Sequence, residues 1–154
     1  MAALYRQSTN FVRRIEAVIG SLSGQVGQTT SFFVRSGENR VCIARDQVYR
    51  DFRYYIEVGA SVPLSGGGAA SQLLLAYTEA QNEAHRCIRL AGRYISRGER
   101  NRHLASVAVP VFEMDGQFLG ALTITGMALD LDDETLIGFA QLAKTDLTKA
   151  GFAF

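Results

Sequence analysis

The chain has 154 residues, enough for one domain with a proper core and short of a comfortable two. Hydrophobic residues make up 47% and charged residues 20%, and a formal net charge of +1 excludes a global field that would draw nucleic acid or an anionic membrane surface. No apolar run approaches a membrane span, no signal-peptide pattern opens the chain, and the two isolated cysteines make neither a disulfide framework nor a zinc site, so a reducing cytoplasm is expected.

Phe11, Ile15, Val18, Ile19 and Leu22 recur at helical spacing behind the capping candidates Ser8, Thr9 and Asn10, which predicts a first helix to about residue 24. Strands are expected over 29–35 and 40–45, joined by the turn Ser36-Gly37-Glu38-Asn39. FRYYIEV, at 52–58, reads as a third strand closed by Gly59, with Tyr49, Phe52, Tyr54 and Tyr55 as core and pocket wall. A Gly-rich connection over 63–68 leads into a short helix over 69–77. Thr78 with Gln81 three residues on makes a capping box for the next helix, which runs to about Leu90. A polar loop over 96–103 enters a hairpin, and a closing helix begins near 130–134 with Leu136, Ala140, Ala143 and Leu147 on one face. Helix, antiparallel strands, helices, hairpin and closing helix describe an α+β sandwich.

The hairpin, LASVAVPVFEMDGQFLGALTITG over 104–126, turns at Asp115-Gly116, a strong tight-turn signal. Met114 opposite Gln117 sets the register, and counting back puts Ser106 opposite Thr125 and Ala108 opposite Thr123. One face then carries Val107, Val109, Val111, Leu122, Ile124 and Phe118, and the other carries Ser106, Ala108, Thr123 and Thr125. A small, hydroxyl-lined face backed by an apolar one has the form of a pocket floor. Ser/Thr pairs are also ordinary on a solvated sheet face.

Gly66, Gly67 and Gly68 expose backbone N–H groups at the mouth of a helix, the makings of an anion site. No Lys-Ser/Thr follows them, so this is no Walker loop, and a flexible linker or close-packing turn accounts for the same residues. His85 and Cys87, two apart on a helix, do not share a face as metal ligands or as a nucleophile and base would. His103 is a lone loop histidine. Cys42 alternates into a strand as a small core residue. Arg86, Arg89, Arg93 and Arg97 could line one side of a helix and its continuation, most simply as a charged outer face.

Taken together, GASVPLSGGGAASQLLLA, GRYISRGER and the hairpin resemble the effector-binding domain of IclR-type transcriptional regulators. Pro63, Leu64, Leu74-Leu75-Ala76, Gly92, Glu99, Ser106, Ala108, Pro110, Val111 and ALTITG at 121–126 fall in that family's order along nearly the whole chain. The resemblance implies a GAF-like fold over 1–154: one antiparallel sheet with flanking helices and a ligand pocket. It implies an effector that is a small organic molecule, often a carboxylate. The residues it points to are Gly67, Gly68, Ala69 and Ala70 at the helix start, Ser96 and Glu99 in the loop, and Ser106, Thr123 and Thr125 on the hairpin.

Three departures qualify the resemblance. The family's helix-turn-helix is absent from this chain, so DNA would be read only through a domain not present here. The stretch between Ala76 and Gly92 is shorter than is usual, which opens the pocket. The loop SRGERNRH is basic where the family is acidic, leaving Glu99 among Arg97, Arg100 and Arg102. The expected function is therefore a sensing domain that binds a small organic acid, self-associates to a dimer or tetramer, and changes the DNA binding of a parent regulator. No cofactor, metal, membrane partner or catalysis is expected. The competing reading is a dimerisation module whose pocket is filled by side chains.

Overall fold

Residues alternating with a period of two send successive side chains to opposite faces, and six such segments pair into one antiparallel sheet. The computed structural model describes residues 2–46, 56–79 and 82–153, with side chains from Phe11 onward. The strands are β1 (Thr29–Ser36), β2 (Asn39–Asp46), β3 (Ser61–Pro63), β4 (Tyr94–Arg97), β5 (Leu104–Phe112) and β6 (Phe118–Met127). Their spatial order is β3-β2-β1-β6-β5-β4. The helices are α1 (Ala2–Val26), α2 (Ala69–Thr78), α3 (Glu83–Ala91) and α4 (Asp133–Lys149).

Helices α1 and α4 cover one face of the sheet and α2 the other. The α1/α4 core joins Ile15, Ile19 and Leu22 to Phe32, Val107, Val109, Leu122 and Ile124, with Leu136, Ala140, Ala143 and Leu147 from α4. Phe33, Cys42, Leu73, Leu74, Ala108 and Ala121 form the core beneath α2. The closing helix starts where its acids suggested. Asp132 caps it by accepting from the Thr135 amide at 2.8 Å, with Asp133 and Glu134 in the first turn.

The hairpin register is as counted, Ser106 opposite Thr125 and Ala108 opposite Thr123, but by a different route. The Gly116 amide bonds the Glu113 carbonyl and the Glu113 amide bonds the Gln117 carbonyl, each at 2.9 Å, so the loop holds Met114, Asp115 and Gly116. That shift of one is undone between Val111 and Phe112, where Phe112 pairs with Phe118 and Leu119 is the extra residue. The two irregularities cancel for the rest of the hairpin. Between them Phe118 is turned to the α2 face, where its ring stacks on Tyr77 at 5.3 Å, rather than joining Val107 and Leu122.

Other elements also differ from expectation. Ser8, Thr9 and Asn10 lie inside α1, because AALYRQ ahead of them favours helix and nothing interrupts it, and α1 ends two residues later than expected. Thr78 closes α2, its hydroxyl donating to the Leu74 carbonyl at 2.6 Å, so it is not free to cap α3. Asn82 does so, accepting from the His85 amide at 2.8 Å, and Gln81 lies outside the described residues. Of the strand expected over 52–58, residues 52–55 lie outside the described residues, as do Tyr49, Phe52, Tyr54 and Tyr55. Ile56 and Glu57 are not strand, and Val58-Gly59 turns at the positive φ of Gly59 (89°) into β3. Ser96 and Arg97 belong to β4 rather than to a loop, paired opposite Ser106 and Ala105.

Candidate functional site

Between α2 and the sheet lies a cavity of about 290 Å³. Pockets that hold small molecules run from about 300 to 1,000 Å³, so this one suits a small ligand. Strand β1 contributes Thr29, Ser31 and Phe33, three residues in phase, and β2 contributes Arg40. Gly68, Ala69 and Ala70 come from the start of α2. Ser96 comes from β4, with Glu99, Arg100 and Asn101 from the loop after it. Ser106, Thr123 and Thr125 come from the hairpin, and Ile56 and Leu104 add apolar wall.

Strand pairing arranges the hydroxyls in rows. Thr29 lies opposite Thr125, Thr125 opposite Ser106, and Ser106 opposite Ser96, a row across four strands. In the next row Ser31 lies opposite Thr123 and Thr123 opposite Ala108. Ser106 and Thr125 hydroxyls bond each other at 3.0 Å. The hydroxyl oxygens of Thr29 and Thr123, each residue only 4% exposed, are sealed from water and have no hydrogen-bond partner among the described residues.

The start of α2 is already engaged. Gly68 caps the helix at φ 97°, ψ 160°, a conformation open to little but glycine, and its amide donates to Glu99 Oε1 at 3.2 Å. The other oxygen of Glu99 accepts from the Tyr94 hydroxyl at 2.5 Å. A carboxylate therefore stands at the helix N-terminus, and it belongs to the chain. Ala69 and Ala70, whose amides belong to the first turn that lacks intrahelical partners, line the cavity beside it.

Burial, and then the hydrogen bond to Glu99, push the Tyr94 phenol up to about 12. The folded state thus holds this proton more tightly than the unfolded chain does. Stability from this clasp should be full below pH about 10 and lost as pH rises towards about 12. An NMR titration of the Tyr94 ring should show the raised midpoint, and Glu99→Gln should lower it. A midpoint near 10 in the parent would contradict the clasp.

Arg40 was not singled out in the sequence, yet it is the most unusual residue of the cavity. It is 5% exposed, its guanidinium carbon lies 4.6 Å from the Phe33 ring centroid, and its Nε has no hydrogen-bond partner among the described residues. None of the ion pairs among the described residues includes it. Burial, and secondarily the nearby Arg100, lower its pKa to about 10. A Cβ placed on Gly68 would sit 3.7 Å from Arg40 Nη2 and 3.8 Å from Arg100 Cβ, so both arginines reach the helix start. The signal was available: Arg40 precedes Cys42 by two on a strand, on the same inward face.

No protein-family model matches the chain, and no curated protein matches it in sequence. Solved structures do match in shape. A transcriptional regulator of the IclR family from a Rhodococcus species superposes with a TM-score of 0.74 at 20% identity, over 88% of this chain and 60% of that one. The IclR protein of Thermotoga maritima gives 0.78 at 16% identity, over 97% of this chain and 72% of that one. The fold is that of an IclR effector-binding domain. The inducer-binding domain of the Acinetobacter PobR transcription factor, solved as a double mutant with 3-hydroxybenzoic acid, gives 0.75 at 19% identity, over 87% of this chain and 93% of that one. The chain thus spans 60% of the Rhodococcus regulator.

Within this IclR-type fold the expected site residues come together around one cavity, with Gly67 outside it. A Cβ on Gly67 would lie 3.5 Å from Glu99 Cβ and Oε1, on the far side of the clasp. The basic loop divides: Arg97 pairs with Asp133 at 2.6 Å while Arg100 lines the cavity. The arginine row does not form as a single face, since Arg86 meets Glu83 at 4.0 Å and Arg89 donates to the Ala76 carbonyl at 3.0 Å. Among the described residues no cluster of His, Cys, Asp and Glu could hold a metal, and no helix is long and apolar enough to cross a membrane.

Proposed function

We propose that this chain is the small-molecule-sensing domain of an IclR-type transcriptional regulator, and that its effector is a small organic acid. Arg40 carries the reading. A largely buried guanidinium, with no carboxylate paired to it among the described residues, costs stability that an incoming anion would recover. Gly68, Ala69, Ala70, Ser96, Glu99, Ser106, Thr123 and Thr125 surround the ligand, with Arg40 and Arg100 at its charged end. The effector favours one arrangement of the pocket and of the contacts between subunits, and so shifts a coupled DNA-binding equilibrium. DNA is read by a helix-turn-helix domain of that regulator rather than by this sheet. Catalysis plays no part: burial raises the Cys42 thiol, the reverse of what a nucleophile needs.

Thermal melts against a panel of small acids test the reading. An effector at about a hundred times its Kd adds about 2.7 kcal/mol, which should raise Tm by roughly 5–10 °C. A flat response to every acid would leave the fold as a dimerisation module and overturn the sensing role. Self-association is the second expectation, and light scattering should give the mass of a dimer or tetramer. A monomer at high concentration would remove it.

A further inference from the structure

We propose that Glu99 is a built-in competitor for the effector: in the free chain its carboxylate latches the loop over 98–103 onto the start of α2, and an incoming carboxylate displaces it and frees the loop. The latch presupposes the acid reading above and adds how that site is kept closed. The base of the loop is fixed by backbone bonds. The Gly98 amide donates to the Leu104 carbonyl at 2.9 Å, the Leu104 amide to the Asn101 carbonyl at 3.0 Å, and the Ala128 amide to the His103 carbonyl at 2.8 Å. The tip is tied to α2 by a side chain. Glu99 Oε1 accepts from the Gly68 amide at 3.2 Å, and Oε2 accepts from the Tyr94 hydroxyl at 2.5 Å. The carboxylate lies over Gly67, where a Cβ would meet Oε1 at 3.5 Å.

The tie is one that an anion can undo. Glu99 is an exposed residue, and its 3.2 Å bond to Gly68 lies at the long end of the usual range. It also leaves the cation of the site unused. Arg40 is 5% exposed and takes part in no ion pair among the described residues, yet its Nη2 would lie 3.7 Å from a Cβ on Gly68. A free carboxylate in the cavity meets that guanidinium and the first-turn amides of Ala69 and Ala70 together. Glu99, tethered through the loop, takes the Gly68 amide and stops short of Arg40. Two carboxylates at one helix start repel each other, so the one with fewer partners leaves. Its departure frees Tyr94 as well, and ligand binding loosens this loop where it would ordinarily tighten it.

Two variants test the latch, with acetate, butyrate and benzoate as probes and with neutral butanol and sodium chloride as controls that should have no effect. Glu99→Gln removes the charge. Tyr94→Phe removes the bond that holds Glu99 in place, at a residue that does not line the cavity. Acid affinity, followed by the NMR shift of the Gly68 amide, should rise about tenfold in Glu99→Gln and about threefold in Tyr94→Phe. Trypsin cleavage after Arg100 and Arg102, read by mass spectrometry, should speed up when acid is added to the parent and should already be raised in both variants. Weaker acid binding in Glu99→Gln, or cleavage that slows on adding acid, would mean that Glu99 helps to hold the ligand. That result would overturn the latch and leave the acid reading standing. Tighter binding in Glu99→Gln with none in Tyr94→Phe would reduce Glu99 to a repelling charge and overturn the latch as well. No acid binding to the parent or to either variant at millimolar concentration would overturn the acid reading, and the latch with it.

Discussion

Arg40→Met should give a chain that is more stable than its parent by about 1 kcal/mol or more, yet binds organic acids at least about 100-fold more weakly. Arg40 is 5% exposed, and burial together with repulsion from Arg100 lowers its pKa to about 10, which corresponds to a cost of about 3 kcal/mol. Its contact with the Phe33 ring returns only about 0.5–2 kcal/mol. Because the depressed pKa belongs to a base, the unfolded chain holds the proton more tightly. The cost is therefore present throughout the neutral range, and it fades only as pH rises above about 10. Methionine fills much of the same volume without a charge. Urea melts at neutral pH, with and without the best-binding acid, read both effects. A variant destabilised by 1 kcal/mol or more would mean that the guanidinium is satisfied within the fold, and its role as a waiting cation would fail.

Phe32→Ala should cost about 3–5 kcal/mol, with the denaturant slope unchanged. Phe32 is fully buried between the sheet and α1, its ring edge-on to Phe11 at 5.9 Å. Gly120 is glycine because of it: a Cβ there would lie 2.7 Å from Phe32 Cζ and 2.3 Å from the Phe33 carbonyl oxygen. The sheet cannot close over so large a void, and the neighbours of Phe32, Ser31 and Phe33, line the cavity on the other side. Leu129→Ala, at a residue 98% exposed, serves as the control and should stay within about 0.5 kcal/mol. A cost below about 1.5 kcal/mol for Phe32→Ala would mean that α1 packs more loosely than the contacts indicate.

The elements most legible in the sequence are those with long periodic faces or strong terminal chemistry. Leu136, Ala140, Ala143 and Leu147 repeat through about three turns of α4 behind an Asp cap, and the structure buries those same four. Asp115-Gly116 located the hairpin, and period-two counting put Ser106, Thr123 and Thr125 on one face. Short-range competition hid the rest. A three-residue loop and a two-residue loop share the same Asp-Gly signal, and only pairing with a neighbour reveals the compensating extra residue at Leu119 that turns Phe118 over. Strand β4 has four residues, too few for alternation to stand out from a loop of arginines. Thr78 could cap one helix or end another, and its bond to Leu74 decides which. Arg40 escaped notice because charge usually marks the solvated face of a strand. Only the approach of α2 makes its position a cavity.

On the reading proposed above, the chain binds a small acid through Arg40 at the start of α2. The most direct measurement is a crystal structure of the chain with the acid that gives the largest thermal shift. The expected result has the carboxylate bonded to the Arg40 guanidinium. A carboxylate held elsewhere, with Arg40 still unpartnered, would contradict it.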